Sequence, residues 1–236
     1  RSGHGGISFR DSLAHSCDVV YYSLGDRMGI ENLARYCREA GLGSLTGIDL
    51  PGEDPGLIPD KAWKKKVWGE RWYSGDTVNS SIGQGFVLTT PLQMARAVAA
   101  IANGGTLTKP RLVDRAVDWR GRHAWQNSEV TSGELKPSED HLLALRQGMR
   151  GAVTHGTSTV ANSPDVKVSG KTGTVESFPN PYNPHGRNHT WFVCFAPYDE
   201  PEIAIAVFFQ KSGGYGGSVA APVARKIIDV HFGEKP

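Results

Sequence analysis

The 236 residues carry a formal charge of +2, with 39% apolar and 9% aromatic side chains, enough to bury a real core in one large domain or one and a half ordinary ones. So small a net charge gives no field that would draw in nucleic acid or acidic lipid, and only a local patch could argue for either. Cys17, Cys37 and Cys194 are too few, and odd in number, for a disulfide framework, and no apolar run reaches the ~18 residues of a membrane-crossing helix. The chain opens at Arg1-Ser2-Gly3 without an initiating Met or a signal sequence, and is read as part of something longer.

From Ile7 to Met28 the periodicity predicts two helical pieces, Phe9 to Ala14 and Val19 to Leu24, with Ser16-Cys17-Asp18 between them. Gly29 closes the second piece, and Ile30 to Ala40 makes a further short helix that Gly41 ends. Residues 41–60, with Pro51-Gly52 and Asp54-Pro55-Gly56, read as a long surface loop. Trp63, Trp68, Trp72 and Tyr73 follow among Lys61, Lys64, Lys65, Lys66 and Arg71, a basic aromatic stretch read as a loop-rich packed insertion. Ser80 to Gly85 is a glycine-spaced turn. Thr90-Pro91 then opens a helix through Ala102, stopped by Asn103-Gly104-Gly105.

Leu112 to Trp119 and His123 to Trp125 flank Arg120-Gly121-Arg122 as a hairpin, and Pro137-Ser138-Glu139 starts a helix running to about Val153. After that the character changes to strands: Val166 to Thr174, Thr190 to Tyr198 and Ile203 to Gln210, the last two joined by the tight Asp199 to Glu202 connection. A glycine-rich loop, Ser212 to Gly217, leads into a final helix from Ser218 to His231 with Val219, Val223, Ile227 and Ile228 on its apolar side. The fold class is α+β, an antiparallel sheet of at least three strands flanked by helices, with a mainly helical part over 1–160 and the strands and last helix over 161–236.

The chemistry-bearing stretch is Ser169-Gly170-Lys171-Thr172-Gly173-Thr174. A lysine, hydroxyls and glycines at the end of an extended run are what an anion-binding strand edge requires, although an edge lysine also serves simply to block aggregation. Ser16-x-Asp18 before a helix is by itself most often an N-cap. His185 and His189 lie four apart, but Pro184 and Gly186 make a helix unfavourable there, so no zinc pair is assigned. No cofactor or metal is assigned anywhere.

Taken together the motifs point further. Penicillin-binding proteins and class A β-lactamases share Ser-x-x-Lys, a Ser-x-Asn-type element and Lys-Thr-Gly, in that order. This sequence resembles that superfamily in the second and third parts. Ile82-Gly83-Gln84-Gly85, Thr90 to Ala95 and Ala102 to Gly105 are similar to the transpeptidase domain of class B penicillin-binding proteins. The segment from Trp63 to Asp76, with Trp72-Tyr73 and Gly75-Asp76-Thr77, and Asp18 in place of the usual Asn, resemble the elongation type, the penicillin-binding protein 2 subfamily.

That resemblance implies a five-stranded sheet between helical layers and a serine that attacks a D-Ala-D-Ala stem peptide; an amine from a neighbouring strand then resolves the acyl-enzyme, and β-lactam antibiotics stall it. It implies that Lys171 binds the substrate carboxylate with Thr172 and Gly173, that the Thr174 N–H forms half of an oxyanion hole, that Ser16 passes a proton, and that Asp18 positions the acyl donor. It also implies a cell-wall glycosyltransferase partner, a membrane anchor outside this chain, and a domain on the extracytoplasmic side. The loop Glu176 to Asn188 is expected to be mobile and to border the substrate groove.

No Ser-x-x-Lys occurs in the chain. The nucleophile and its lysine are therefore expected upstream of Arg1, the fragment is expected to be inert, and the apolar edge from Ile203 to Phe209 is expected to promote self-association. Two alternatives compete: a serine D,D-carboxypeptidase or β-lactamase, for which no deacylating base is recognisable, and a non-catalytic penicillin-recognising sensor.

Overall fold

The first helices begin where their caps dictate. In the computed structural model, which describes residues 3–233, α1 (Phe9–Ala14) is capped by Ser8, whose hydroxyl accepts from the Asp11 N–H at 3.1 Å. α2 (Asp18–Glu39) is two helical pieces joined across a kink where Gly29 takes φ 73° and ψ 158°, a positive-φ conformation that suits glycine. Both pieces match the sequence reading.

The loop over 41–60 is less superficial than its turn residues suggest. Thr46, Ile58 and Pro59 are buried, and the Glu53 carboxylate accepts from the Thr46 N–H at 2.7 Å, the Thr46 hydroxyl at 2.5 Å and the Gly47 N–H at 3.1 Å. The fully buried Gln93 amide donates to the Ser44 and Pro55 carbonyls at 2.7 and 2.8 Å. Buried backbone carbonyls need such partners, and here one side chain from a neighbouring helix supplies two.

The basic aromatic stretch is helical, which corrects the loop reading. α3 (Lys61–Trp68) starts at Asp60, whose carboxylate accepts from the Trp63 N–H at 2.8 Å, and ends at Gly69 in the left-handed region. Three successive lysines obscured its periodicity, because one of them, Lys64, faces inward and is 4% exposed. α4 (Ser74–Ser81) follows, so the glycine turn is confined to the residues after it. α5 (Pro91–Ala102) begins with the Thr90 and Gln93 side chains capping each other's backbone N–H groups, as Thr-Pro-x-Gln predicts.

Four short strands come next. β2 (Arg115–Val117) and β3 (His123–Gln126) form the expected hairpin, while β1 (Thr106–Thr108) and β4 (Thr131–Glu134) pair with each other, unsignalled because each is only three or four residues long. α6 (Glu139–Thr154) is capped by Ser138.

The main sheet is antiparallel in the order β5 (Ser169–Val175), β6 (His189–Ala196), β7 (Ile203–Phe209). The resemblance implies five strands; the described residues supply three. Facing residues in register share a side of the sheet, so Thr172, Phe192 and Val207 point one way and Lys171, Val193 and Ala206 the other. The first side packs on α7 (Gly216–Phe232) through Phe192, Cys194 and Ile205 against Ala220, Ala221, Ala224 and Ile228. The second packs on α5 and α6 through Val193 and Phe195 against Val98, Ala102 and Met149.

Burying a side chain such as Phe192 or Ile228 is worth about 1.5–3 kcal/mol, so these two layers set the sheet between helices. The α7 face is in part the one predicted, with Ile228 fully buried and Val223 packed against the core. Small alanines form its buried stripe because the helix lies close to the sheet, and Ile227 is left 41% exposed.

Candidate active site

The cleft at the free edge of β5 has a volume of about 1290 Å³ and is lined by Ser16, Asp18, Lys171, Thr172, Gly173 and Thr174. All six residues singled out by sequence therefore meet in one place, although Ser16 and Lys171 are 155 positions apart.

Ser16 does not cap a helix. The N-cap of α2 is Cys17, with no side-chain hydrogen bond, and Ser16 itself sits at φ 53°. A left-handed serine is strained, and such strain persists only where its surroundings impose it. The result is that its hydroxyl accepts from Lys171 Nζ at 2.8 Å. Asp18 is in the first turn of α2 and exposed to the cleft.

The Lys171 ammonium also donates to the Thr172 carbonyl at 2.9 Å. Burial lowers its pKa from 10.5 to about 8, against the opposing pull of Asp18. Desolvation of an ammonium with no carboxylate in contact makes it a receptor for an anion.

β5 is an edge strand, and its backbone is open toward the cleft. The Thr172 and Thr174 carbonyls accept from Lys171 Nζ and from Gln84 Nε2, the latter at 3.1 Å. In an antiparallel strand the N–H and C=O of one residue point to the same side, so the Thr174 N–H faces the open side as well. Behind the strand, the Gly216 N–H at the start of α7 donates to the Thr174 hydroxyl at 3.2 Å. A Cβ on Gly216 would lie 2.3 Å from the Trp191 carbonyl and 2.6 Å from that of Gly173. Backbone packs directly on backbone there, which holds β5 from the rear.

Three further residues stand in the wall. Thr157 places its hydroxyl 2.9 Å from that of Thr172, and its N–H donates to the Ala14 carbonyl at 3.2 Å. Gln84 was visible as part of a glycine-spaced turn but with no role. Tyr21 lines the cleft, and its buried hydroxyl has no partner among the described residues. Nothing in the surrounding sequence marks Thr157 or Tyr21, because their positions depend on tertiary packing. The loop Glu176 to Asn188 borders the cleft through Glu176 and Phe178. It is pinned from within by Asn183, whose amide donates to the Ser177 hydroxyl and the Arg187 carbonyl at 2.9 and 2.8 Å.

Chemically, the arrangement can hold a carboxylate at Lys171 and the hydroxyls beside it, lay an extended peptide along β5, and offer N–H groups to a developing oxyanion.

Residues 1–229 match the family model described as the penicillin binding protein transpeptidase domain. The chain is 34% identical over 238 residues to the peptidoglycan D,D-transpeptidase MrdA of Acinetobacter baumannii, covering 97% of this chain and 35% of that protein. Among solved structures, penicillin-binding protein 2 of Pseudomonas aeruginosa superposes with a TM-score of 0.82 at 30% identity, over 97% of this chain and 50% of that one. The complex of penicillin-binding protein 2 with MreC from Helicobacter pylori gives 0.78 at 31%, over 96% and 41%. The chain thus spans half or less of the length of these relatives. With a family model matching nearly from end to end, the chain belongs to the penicillin-binding protein transpeptidase domain family, in its class B, penicillin-binding protein 2 branch.

Proposed function

We propose that this chain forms the carboxylate-binding and oxyanion side of a peptidoglycan D,D-transpeptidase that cross-links stem peptides during cell-wall elongation and is a target of β-lactams. The observation that carries the reading is the convergence of Lys171 and Ser16 at 2.8 Å beside an open strand edge.

In the proposed reaction the stem peptide lies along β5 with its terminal D-Ala carboxylate on Lys171 and Thr172. A serine supplied by other residues of the parent polypeptide attacks the penultimate D-Ala carbonyl, since no Ser-x-x-Lys is present here. The carbonyl oxygen becomes an oxyanion held by the Thr174 N–H, a kind of contact worth about 3 kcal/mol in the transition state. Collapse breaks the D-Ala–D-Ala amide bond, and the leaving nitrogen takes a proton relayed through Ser16. Free D-Ala departs, and the amine of a second stem peptide attacks the ester to form the cross-link and regenerate the serine.

Asp18, at the cleft mouth, positions the acyl-donor chain, and its negative charge favours the charged state of Lys171. The relatives named as D,D-transpeptidases support this reaction. The full polypeptide works in a wall-building assembly with a glycosyltransferase partner, on the extracytoplasmic side of the membrane; the H. pylori complex of penicillin-binding protein 2 with MreC and a peptidoglycan synthase complex that coordinates polymerization and crosslinking support the assembly.

Intact-mass measurement after incubation with a reporter penicillin tests the reading in two arms. The 236-residue chain alone should take up no covalent adduct, and the full polypeptide should take up one that Lys171→Ala strongly slows. An adduct on the isolated chain, or undiminished labelling of the Lys171→Ala protein, would overturn it.

A further inference from the structure

Both carbonyls that β5 turns toward the cleft are already spoken for. Thr172 O accepts from Lys171 Nζ at 2.9 Å and Thr174 O from Gln84 Nε2 at 3.1 Å. Each side-chain nitrogen stands where a pairing strand would bring its own amide. Covering an open edge in this way discourages stray pairing, yet the proposed reaction needs that edge for its peptide.

Register makes the conflict specific. Facing residues of an antiparallel ladder either exchange both N–H···O bonds or exchange neither. An acyl donor whose penultimate D-Ala oxygen sits on the Thr174 N–H is therefore placed to give that same residue's N–H to the Thr174 carbonyl. Antiparallel pairing also runs the donor's C-terminus back along β5 toward Thr172 and Lys171, where its carboxylate is held. The ladder nitrogen would arrive from the open side at about 2.9 Å, and Gln84 is the group in its way.

Gln84 is held loosely enough to leave. Its backbone is pinned just after α4, where its N–H donates to the Asn79 carbonyl at 3.0 Å. A Cβ on the preceding Gly83 would meet nothing within 4 Å, so the side chain has room to swing. Its Oε1 has no partner among the described residues. Gln93 shows the opposite case: besides its two bonds to the Ser44 and Pro55 carbonyls, its Oε1 accepts from the Thr90 N–H at 3.1 Å, and the residue is fully buried. Three bonds lock Gln93 into the fold, and one holds Gln84 on β5.

We infer that Gln84 is a displaceable stand-in for the acyl donor's backbone N–H. It holds the Thr174 carbonyl while the cleft is empty and yields it to the penultimate residue of the donor, so binding exchanges one amide donor for another. This rests on the proposed transpeptidase reading, which supplies the peptide. Gln84 is a positioning residue, acting on the donor only through Thr174. A donor without that N–H leaves Gln84 where it is, and the carbonyl stays paired.

The test uses the full polypeptide and two penicillins. A 6-acylamino penicillin carries an N–H in the same relation to the lactam carbonyl as the penultimate D-Ala N–H has to its own, and the 6-acyloxy isostere has an oxygen there. Acylation rates are read by intact mass, and the amino-to-oxy ratio is compared between proteins, which cancels the intrinsic reactivity of each lactam. In Gln84→Ala the ratio should grow about fivefold, because the oxy compound then leaves the Thr174 carbonyl unpaired. Gln84→Asn, one methylene too short to keep the contact, should behave alike and serves if the alanine variant does not fold.

A tie that only braced β5 would change both rates equally, so an unchanged ratio would overturn the inference. So would a structure of the 6-acylamino acyl-enzyme in which Gln84 Nε2 still sits on the Thr174 carbonyl. Failure of both penicillins to acylate the unmodified polypeptide would instead count against the transpeptidase reading.

Discussion

Lys64 and Lys171 each carry an ammonium out of water, and the protein treats them in opposite ways. Lys64 has the Asp76 carboxylate at 2.7 Å and that of Glu70 at 3.7 Å, and the rings of Tyr73, Phe86 and Trp72 around it at 4.8, 5.6 and 6.0 Å. Its hydrogen bond to Asp76 raises its pKa. Lys171 has neutral oxygens only, from Ser16 and Thr172, and burial lowers its pKa to about 8. A buried cation whose anion is built in acts as a clamp, while one whose anion is left out acts as a receptor. Each consequence of that contrast can be measured.

The largest effect is expected at the receptor. Removing one partner of an enclosed charge pair costs about 2–5 kcal/mol, because the other charge is left unpaired. Lys171→Ala in the full polypeptide should accordingly slow acylation by a carboxylate-bearing penicillin by about two to three orders of magnitude. A loss below about threefold would mean that the carboxylate is held elsewhere in the cleft.

Next is the backing of the strand. Gly216→Val forces a side chain into the Gly173 and Trp191 backbone, and overpacking of this kind costs roughly 1–3 kcal/mol. The protein should melt at lower temperature, and because β5 is displaced its penicillin acylation should fall as well. Unchanged stability would show that the start of α7 can move away freely.

Much of this architecture was legible in advance, and the parts that were not share a cause. Thr90-Pro91-x-Gln93 fixed the start of α5 because capping depends on residues within one turn. The three strand runs were plain because both faces of the sheet are covered and β6 is apolar nearly throughout. Lys-Thr-Gly and Ser-x-Asp could be paired only through a family pattern, since no local rule joins residues 155 positions apart. α3 was hidden because its inward residue is a lysine, which breaks the rule that charged residues face out. Thr157 and Tyr21 left no trace in the sequence, their roles being set by what folds against them.

The third measurement is a pH profile. Folding lowers the Lys171 pKa from 10.5 to about 8, so between those values the unfolded chain holds more protons and folding stability rises with pH. Anion recognition runs the other way, because only the protonated amine attracts a carboxylate. Affinity should be at its full value below about pH 8 and fall about tenfold per unit above it, until the pKa of the complex is reached. A profile flat to pH 10 would mean that an anion already holds the proton on Lys171.

The smallest effect on chemistry is expected at the clamp, and it separates the two lysines most cleanly. Lys64 does not line the cleft, whereas Asn79 and Ser81 on α4 do. α4 also begins at the helix start that Asp76 caps, by accepting from the Tyr73 N–H at 2.8 Å. Lys64→Met leaves Asp76 and the aromatic cage without their cation, so stability should drop. Acylation per folded molecule should change less than about threefold, since no ligand-facing group is altered. Because the uncompensated carboxylate is the main cost, Lys64→Met combined with Asp76→Asn should be more stable than the sum of the two single variants. Additive losses would show that the pair does not act as one unit. A large loss of acylation at full stability would make Lys64 part of the receptor rather than the clamp.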